Sequence, residues 1–179
     1  FLARFEQVQG QIDKITGDTC RPRVFRTNHS DAMDIAMIGE WAKTFKEKSY
    51  ATLAADYVWG RDSAESFAKA IKAQGKEVKL QLYAPIGTKD FSPFIAQLKE
   101  ANVDAIWVAE VGRDAIAFVK QAQEFGLIPK VKLIGHSLLQ NFMVDATGKA
   151  LEGTAGNVTY GPELDNPVNK AFVSAWKAK

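Results

Sequence analysis

Four short segments of the chain bring together aromatic rings, an acid, a hydroxyl, an imidazole and several glycines. The six candidate ligand-binding residues in these segments are Tyr57, Trp59, Glu110, Gly112, His136 and Ser137. Rings can stack on a flat or apolar solute, while carboxyl, hydroxyl and imidazole groups can exchange hydrogen bonds with its polar atoms. The residue types therefore predict a site that binds a small molecule.

Each candidate also has a purely structural interpretation. Tyr57 and Trp59 can pack on the following helix, and Glu110 can form a surface ion pair with Arg113. His136 can be an ordinary hydrogen-bonded loop histidine, and the glycines can serve turns that need a positive φ. The sequence alone leaves both interpretations open.

Signatures of enzymatic chemistry are missing from the sequence. There is no G-x-G-x-x-G after a strand, no G-x-x-x-x-G-K-[ST] and no G-x-S-x-G elbow. His136 and Ser137 are adjacent, and chain neighbours rarely place a base on each other's hydroxyl. The sequence has only two histidines and one cysteine, which argues against a metal site. The prediction is a binding protein with no catalytic residue, cofactor or metal; an enzyme of the same fold class that acts on sugars or nucleotides is the competing interpretation.

The charge pattern argues against nucleic-acid binding and membrane insertion. The formal net charge is +2, and basic residues mostly alternate with acids, as in the run from Lys43 to Lys48. Such alternation is typical of a solvated helix face. No apolar run approaches the roughly 18 residues that a membrane-spanning helix needs.

Four β-rich apolar segments position the candidates, and they begin at intervals of about 27 residues, the size of a strand plus a crossover helix. Three are almost wholly apolar, as parallel strands buried on both faces are. The second alternates and suits a sheet edge. This pattern predicts an α/β fold with a doubly wound, Rossmann-like parallel sheet. The segments are Tyr50–Ala55, Glu77–Tyr83, Val103–Val108 and Val131–Ile134.

Helical patterns separate the strands. The first helix is predicted to start at Ser30 or Asp31 and to bury a face that includes Trp41. Asp62 and Glu65 have the spacing of a capping box at the start of the second helix. The third is predicted to open at Ser92 and Pro93, and the fourth to bury a face from Ala115 to Ala122 and to end at Gly126. Residues 1–20 read as a helix that breaks at residue 16, 153–161 as an extended segment, and 167–179 as a helix.

In open α/β sheets, ligands bind beyond the carboxyl ends of the strands. That rule selects the segments 56–60, 85–88, 110–113 and 135–137 before any family is considered. All six candidates lie in three of these segments. We expect the sheet to bring them to one edge.

With these segments aligned, the chain resembles the periplasmic binding proteins for leucine, isoleucine and valine, which have the type I periplasmic binding fold. The resemblance implies a two-lobed receptor that closes on its ligand like a hinge. The implied function is the extracytoplasmic, periplasmic solute-binding component of an ABC importer, with a small-molecule solute and a membrane permease as partners. The matching stretches are Ile15–Cys20, Val24–Thr27, Asp56–Arg61, Thr88–Ser92, Leu98–Lys99, Val103–Ala105, Gln121–Leu127 and Leu151–Thr154.

The resemblance also implies an organisation in three parts. Residues 1–26 correspond to a segment from the first lobe and a hinge crossing, and 27–160 to the second ligand-binding lobe. Residues 161–179 correspond to a return segment and a helix that leads to a remainder outside this chain. No signal peptide is recognised. Cys20 is either a buried small apolar residue or the partner of a cysteine elsewhere in the protein.

Carried over residue by residue, Trp59 falls where the family has a ring before a glycine, and Glu110 to Gly112 match a second contact region. Ser137 falls where the family has the acid that meets an ammonium group. Because a serine cannot neutralise an ammonium, either Glu110 takes over this role or the solute has no amine. The solute is thus expected to be a branched-chain amino acid or a related small carboxylate, aromatic ones included. The alternative is a cytoplasmic, small-molecule-sensing effector domain of a transcription regulator or amide sensor with the same fold.

Overall fold

The protein is described by a computed structural model in which residues 6–8, 14, 16–158 and 160–178 are defined. The described chain begins with two strands and then alternates between helices and strands. Its elements are β1 (Glu6–Val8), β2 (Val24–Arg26), α1 (Asp31–Ala42), β3 (Ser49–Ala55), α2 (Val58–Ala73), β4 (Glu77–Ala84), α3 (Ser92–Glu100), β5 (Ala105–Ala109), α4 (Gly112–Glu124), β6 (Lys132–His136), α5 (Asn141–Thr147), a 3-10 turn (Gly148–Leu151), β7 (Ala155–Asn157) and α6 (Pro167–Lys177).

Five of the strands form one parallel sheet in the order β4-β3-β5-β6-β7. Each of β3, β5 and β6 has a neighbour on both sides, which is why these sequences are nearly continuous in apolar residues. β4 lies at an edge, as its alternating pattern predicts. The predicted doubly wound α/β fold is confirmed.

Helices cover both faces of this sheet. α1 and α2 pack on one face, where Phe67 of α2 stacks on Trp107 of β5 with ring centroids 4.3 Å apart. α3, α4 and α5 cover the other face, where Phe118 of α4 belongs to the larger cluster of buried side chains. The sheet is therefore buried on both sides and forms a rigid support for the turns at its ends.

The predicted starts and faces of the helices are confirmed in part. Ser30 is the N-cap of α1, and its hydroxyl accepts a hydrogen bond from the amide of Met33. Trp41 was expected to be buried, which is wrong: it is 42 % exposed and contacts Phe45 edge-on at 4.8 Å. In the same last turn of α1, Ala42 is fully buried, so the buried face of the helix is narrower than predicted.

The capping box predicted for the second helix is wrong. α2 begins at Val58, so Asp62 and Glu65 lie inside the helix rather than at its start. The N-cap is Tyr57, whose side chain makes no capping hydrogen bond. Without a polar cap in the sequence, the start of α2 had no local signal.

The amino-terminal stretch differs from its predicted helix. Glu6–Val8 forms β1, which pairs in parallel with β2 in a separate two-stranded sheet. Residues 1–5, 9–13 and 15 lie outside the described residues. The predicted break is present as a turn over 16–19, and Cys20 after it is exposed rather than buried. None of the described helices combines the length and the apolarity that crossing a membrane requires.

Candidate functional site

The candidate site lies at the carboxyl edge of the sheet, around the fork between β3 and β5. These two strands are neighbours, but α2 leaves β3 on one face and α4 leaves β5 on the other. Such a switch point opens a crevice between two turns. Tyr57 and Trp59 follow β3, Glu110 and Gly112 follow β5, and β6 beside it ends at His136. Ser137 comes directly after it. The expectation of one common edge is confirmed for all six candidates.

Trp59 occupies the first turn of α2 and is largely buried, with 6 % of its surface exposed. Its ring lies 5.9 Å from the Tyr57 ring and 4.9 Å from the His136 ring. Its indole Nε1 has no hydrogen-bond partner among the described residues. An indole N–H that is buried usually finds an acceptor, so this donor is available to a bound molecule.

Gly60 explains why an aromatic residue can sit so close to the strand end. A Cβ placed on Gly60 would lie 2.1 Å from the carbonyl oxygen of Ala55, the last residue of β3. Only glycine allows the helix to turn this tightly over the strand. The glycine after Trp59 is thus required for steric reasons, and the tight turn places the Trp59 ring at the edge of the sheet.

His136 is fully buried, and both of its ring nitrogens are engaged. The indole Nε1 of Trp107 donates to Ser63 Oγ at 3.1 Å, and that oxygen lies 2.9 Å from His136 Nδ1. His136 Nε2 lies 3.1 Å from Asp34 Oδ2. With the Ser63 hydroxyl donating to Nδ1 and Nε2–H donating to Asp34, every polar group in this series of hydrogen bonds, from Trp107 to Asp34, has a partner. The imidazole therefore supports the Trp59 ring and has no free nitrogen for a solute.

Ser63, His136 and Asp34 follow the order of groups in a hydrolase triad. The Ser63 hydroxyl is, however, fully buried in α2 and already holds the Trp107 indole. A substrate carbonyl cannot approach such an oxygen. These hydrogen bonds hold buried side chains in place and do not activate Ser63 as a nucleophile.

Two acids on α1 complete what we call the acid-histidine cluster: Asp31, Asp34 and His136. One ligand atom of each lies within 4.8 Å of the other two, and all three side chains are buried. His29 Nε2 also lies 2.9 Å from Asp34 Oδ2. Such groups could hold an ion, but the hydrogen bonds of Asp34 to both imidazoles already account for two of the three, and Asp31 Oδ1 lies 3.9 Å from His136 Nε2. The sequence reasoning missed these acids, and their spacing of three on one helix face was the available signal.

Glu110 is the most perturbed group at the edge. It is 2 % exposed, and its Oε1 has no hydrogen-bond partner among residues 14, 16–158 and 160–178. Burial, with a smaller contribution from the negative charge of Asp114, raises the pKa of Glu110 from 4.5 to about 8. Arg113 is exposed, and within the described chain it forms no ion pair with Glu110. The surface-pair interpretation of this acid therefore does not hold.

Tyr57 lies on the other side of the fork and is half-buried. Burial raises the pKa of its phenol, and the charges of Asp31 and Glu110 raise it further. These electrostatic contributions show that the three groups share one neighbourhood. The phenol stays protonated at neutral pH and can both donate and accept a hydrogen bond.

The remaining two candidates are set by backbone geometry. Ser137 has φ of +62° and is half-buried, and its amide donates to Asn157 Oδ1 at 3.1 Å. Gly112 starts α4 with φ of +57°, and a Cβ there would meet nothing within 4 Å. The open space beside Gly112 is consistent with a turn that borders a cleft.

The fold, a parallel sheet with helices on both faces, matches that of a lobe of the type I periplasmic binding proteins. A model of the periplasmic binding protein family matches residues 8–179 of the chain. The chain therefore belongs to the periplasmic binding protein family. The resemblance seen in the sequence is confirmed.

Individual relatives are similar over most of this chain. The Leu/Ile/Val-binding protein homolog 2 of Brucella abortus is 29 % identical over 156 residues, which are 86 % of this chain and 41 % of that protein. A solute-binding protein of an ABC transporter from R. palustris, in complex with benzoate, is 26 % identical with a TM-score of 0.84 and covers 94 % of this chain and 46 % of its own. Another, from Rhodopseudomonas palustris BisB5 with 3,4-dihydroxybenzoic acid, is 31 % identical with a TM-score of 0.70 and covers 88 % and 44 %. The chain thus spans less than half the length of these relatives.

Proposed function

We propose that this chain is the second lobe of the extracytoplasmic solute-binding component of an ABC importer, which delivers a small molecule to a membrane permease. Residues 27–160 are assigned to the lobe itself, with 1–26 and 161–179 as the segments that connect it to the first. Membership of the family supports this, as do relatives named as binding proteins of ABC transporters. The alternative of a cytoplasmic sensor domain is less favoured, because the matched relatives are transport proteins.

The observation that carries the proposal is a pair of buried, unpartnered polar atoms at the switch point. Trp59 Nε1 and Glu110 Oε1 both lack a partner within the described residues, although each side chain is more than nine-tenths buried. Leaving such groups unpaired costs roughly 1–3 kcal/mol each. A molecule bound in the crevice would supply the missing partners.

Roles for the six candidates follow from their geometry. The Trp59 ring, backed by Tyr57, provides the flat surface on which the solute stacks. Glu110 and the hydroxyl of Ser137 meet its polar atoms. Gly112 keeps the mouth of the crevice open. His136 is a positioning residue that holds Trp59, since both of its nitrogens are engaged.

We propose a small carboxylate without an amine, aromatic ones included, as the solute. Ser137 stands where the family resemblance implies an acid for the ammonium group, and a serine leaves such a charge unneutralised. Two structural relatives are described in complex with benzoate and 3,4-dihydroxybenzoic acid. The second candidate is a branched-chain amino acid, which the names of the Brucella relatives favour and in which Glu110 would meet the ammonium group.

Calorimetric titration of the full-length gene product tests the proposal. Benzoate, 4-hydroxybenzoate, leucine and isoleucine are the probes, with Trp59→Ala as the variant. We expect micromolar binding of one class and a loss of at least about tenfold in affinity in Trp59→Ala, about 1.4 kcal/mol. This 179-residue chain alone is expected to bind weakly or not at all, because a closed cleft needs both lobes.

The matched control is Trp41→Ala, which removes an exposed tryptophan far from the sheet edge. Its affinity should equal that of the unmodified protein. If neither class of solute binds, the proposed function is wrong. If Trp59→Ala, checked for folding by circular dichroism, retains full affinity, Trp59 is not part of the site.

A further inference from the structure

Glu110 is buried at the fork, and the titratable groups that interact with it there are an acid and a phenol. Asp114 of α4 faces it with a negative charge, and the Asp114 carboxylate already accepts the amide of Gly87 at 2.7 Å. Tyr57 is close enough for the charges of both Glu110 and Asp31 to raise the pKa of its phenol. Among the described residues, no Lys or Arg lies within ion-pair distance of Glu110. An ionised Glu110 would therefore have no compensating charge.

The protonated acid, by contrast, fits its surroundings. Neutral Glu110 offers one O–H donor and keeps acceptor capacity on its other oxygen. The carboxyl stays neutral at pH 7, because its pKa is raised to about 8. Documented cases exist in which a carboxylic acid held neutral at pH 7 in an apolar site acts as a hydrogen-bond donor.

The charge of the neighbours decides which part of a solute can reach this acid. A solute carboxylate would be repelled by Asp114 and Asp31 at this end of the crevice. A primary ammonium would need Glu110 in its ionised form, which the burial of this side chain disfavours. An uncharged hydroxyl or carbonyl oxygen matches both the charge and the number of groups available.

We propose that protonated Glu110 is a specificity-determining residue, which donates a hydrogen bond to an uncharged oxygen of the solute at the end away from the solute's carboxylate. The chemical class is a carboxylate that carries a second, neutral oxygen, such as a hydroxybenzoate. This inference rests on the proposed function, because it states which end of the solute lies against Glu110 in the same crevice. Binding then requires the proton on Glu110 and weakens as that proton is lost.

The test measures the affinity of the full-length protein for 4-hydroxybenzoate and leucine by calorimetry between pH 6.5 and 9. We expect 4-hydroxybenzoate to bind about tenfold more weakly at pH 9 than at pH 7, because the protonated fraction of a group with a pKa of about 8 falls by that factor. In Glu110→Gln, whose neutral amide still donates but does not titrate, the tenfold loss between pH 7 and pH 9 should be absent. Subtracting the two profiles removes the titration of the solute's own phenol.

A second variant shifts the midpoint of the pH dependence of binding and leaves Glu110 unchanged. Asp114→Asn removes the neighbouring negative charge, so the midpoint of the pH dependence should move to lower pH. The matched control is Glu124→Gln, an exposed acid on the same helix, which should leave the profile unchanged. Infrared spectra at pH 7 should show a protonated carboxyl band that is absent in Glu110→Gln, with or without solute.

Several results would overturn the inference. They are a flat pH profile for 4-hydroxybenzoate, the absence of the carboxyl band, and preferential leucine binding that Glu110→Gln abolishes. The last would mean that an ionised Glu110 pairs with an ammonium group, which leaves the solute-binding function intact. If neither compound binds although the band is present, the proposed function fails and the role of Glu110 in solute selection fails with it.

Discussion

The stability of this chain should depend on pH through Glu110. Folding raises the pKa of this carboxyl from 4.5 to about 8, so the folded state holds the proton more tightly than the unfolded state. Stability from this source is fully present below pH 4.5 and is lost as the pH rises towards 8. Above pH 8 the difference reaches its full value, on the order of 5 kcal/mol.

Glu110→Gln removes this dependence while keeping the size and polarity of the side chain. Between pH 5 and 7 the unmodified chain should lose about 2 kcal/mol of unfolding free energy relative to the variant, and about 1 kcal/mol more by pH 9. Urea unfolding of the 179-residue chain, followed by circular dichroism at several pH values, measures this difference. Other titrating groups cancel because they are common to both proteins.

Glu124→Gln, an exposed acid on α4, serves as the control and should run parallel to the unmodified chain. Parallel curves for Glu110→Gln across pH 5 to 9 would refute the reasoning. They would mean that water or a rearranged side chain solvates the carboxylate in the folded state. A variant that is more stable at pH 9 but equal at pH 5 would support it.

Three further outcomes are expected from the sheet edge and the core beneath it. Gly60→Ala should cost about 1–3 kcal/mol of unfolding free energy, because its Cβ would collide with a main-chain oxygen of β3. In the control Gly39→Ala the nearest neighbour of the new Cβ is 3.5 Å away, so this variant should be neutral or stabilised by up to about 1 kcal/mol. Thermal melting of the two variants measures the difference. Ser63→Ala leaves the Trp107 indole and His136 Nδ1 without a partner and should cost about 1–3 kcal/mol in urea unfolding, a prediction that a loss of only a few tenths would contradict. Chelation of divalent ions should leave the melting temperature unchanged, because the imidazoles of the acid-histidine cluster are already held by Asp34; a clear drop would identify a bound ion.

The sheet and its order of burial were predictable because the strands carry the strongest patterns in the chain. β3 and β5 are nearly continuous apolar runs, as expected for parallel strands buried on both faces. The alternation in β4 likewise indicated an edge. The common edge of Trp59, Glu110 and Ser137 then followed from topology alone, since parallel strands end on one side.

The start of α2 was missed because tertiary packing sets it. Tyr57, Val58 and Trp59 follow the buried strand after a single residue, Asp56, and none of them is a typical helix-capping residue. The helix begins there because Gly60 permits a tight turn over Ala55, and no polar cap announces it. A capping box further along was the stronger local signal, and it was misleading.

The buried polar chain behind Trp59 was also missed, for a different reason. Asp34 on α1 and Ser63 on α2 are polar residues in helices, and polar residues in helices usually face solvent. Their burial is explained only by partners that are distant in sequence, His136 and Trp107. Hydrophobic periodicity carries no information about such pairs.

The hydrogen bond between Asp34 and His136 joins residues that are 102 positions apart. During synthesis the acid emerges well before the imidazole of His136, so this hydrogen bond can form only after β6 has added to the sheet. Contacts of such long range form only after the entropy of closing a large loop has been overcome. The support for Trp59 is therefore among the last features to assemble, and a nascent or truncated chain that stops before β6 would carry the tryptophan without the histidine that orients it.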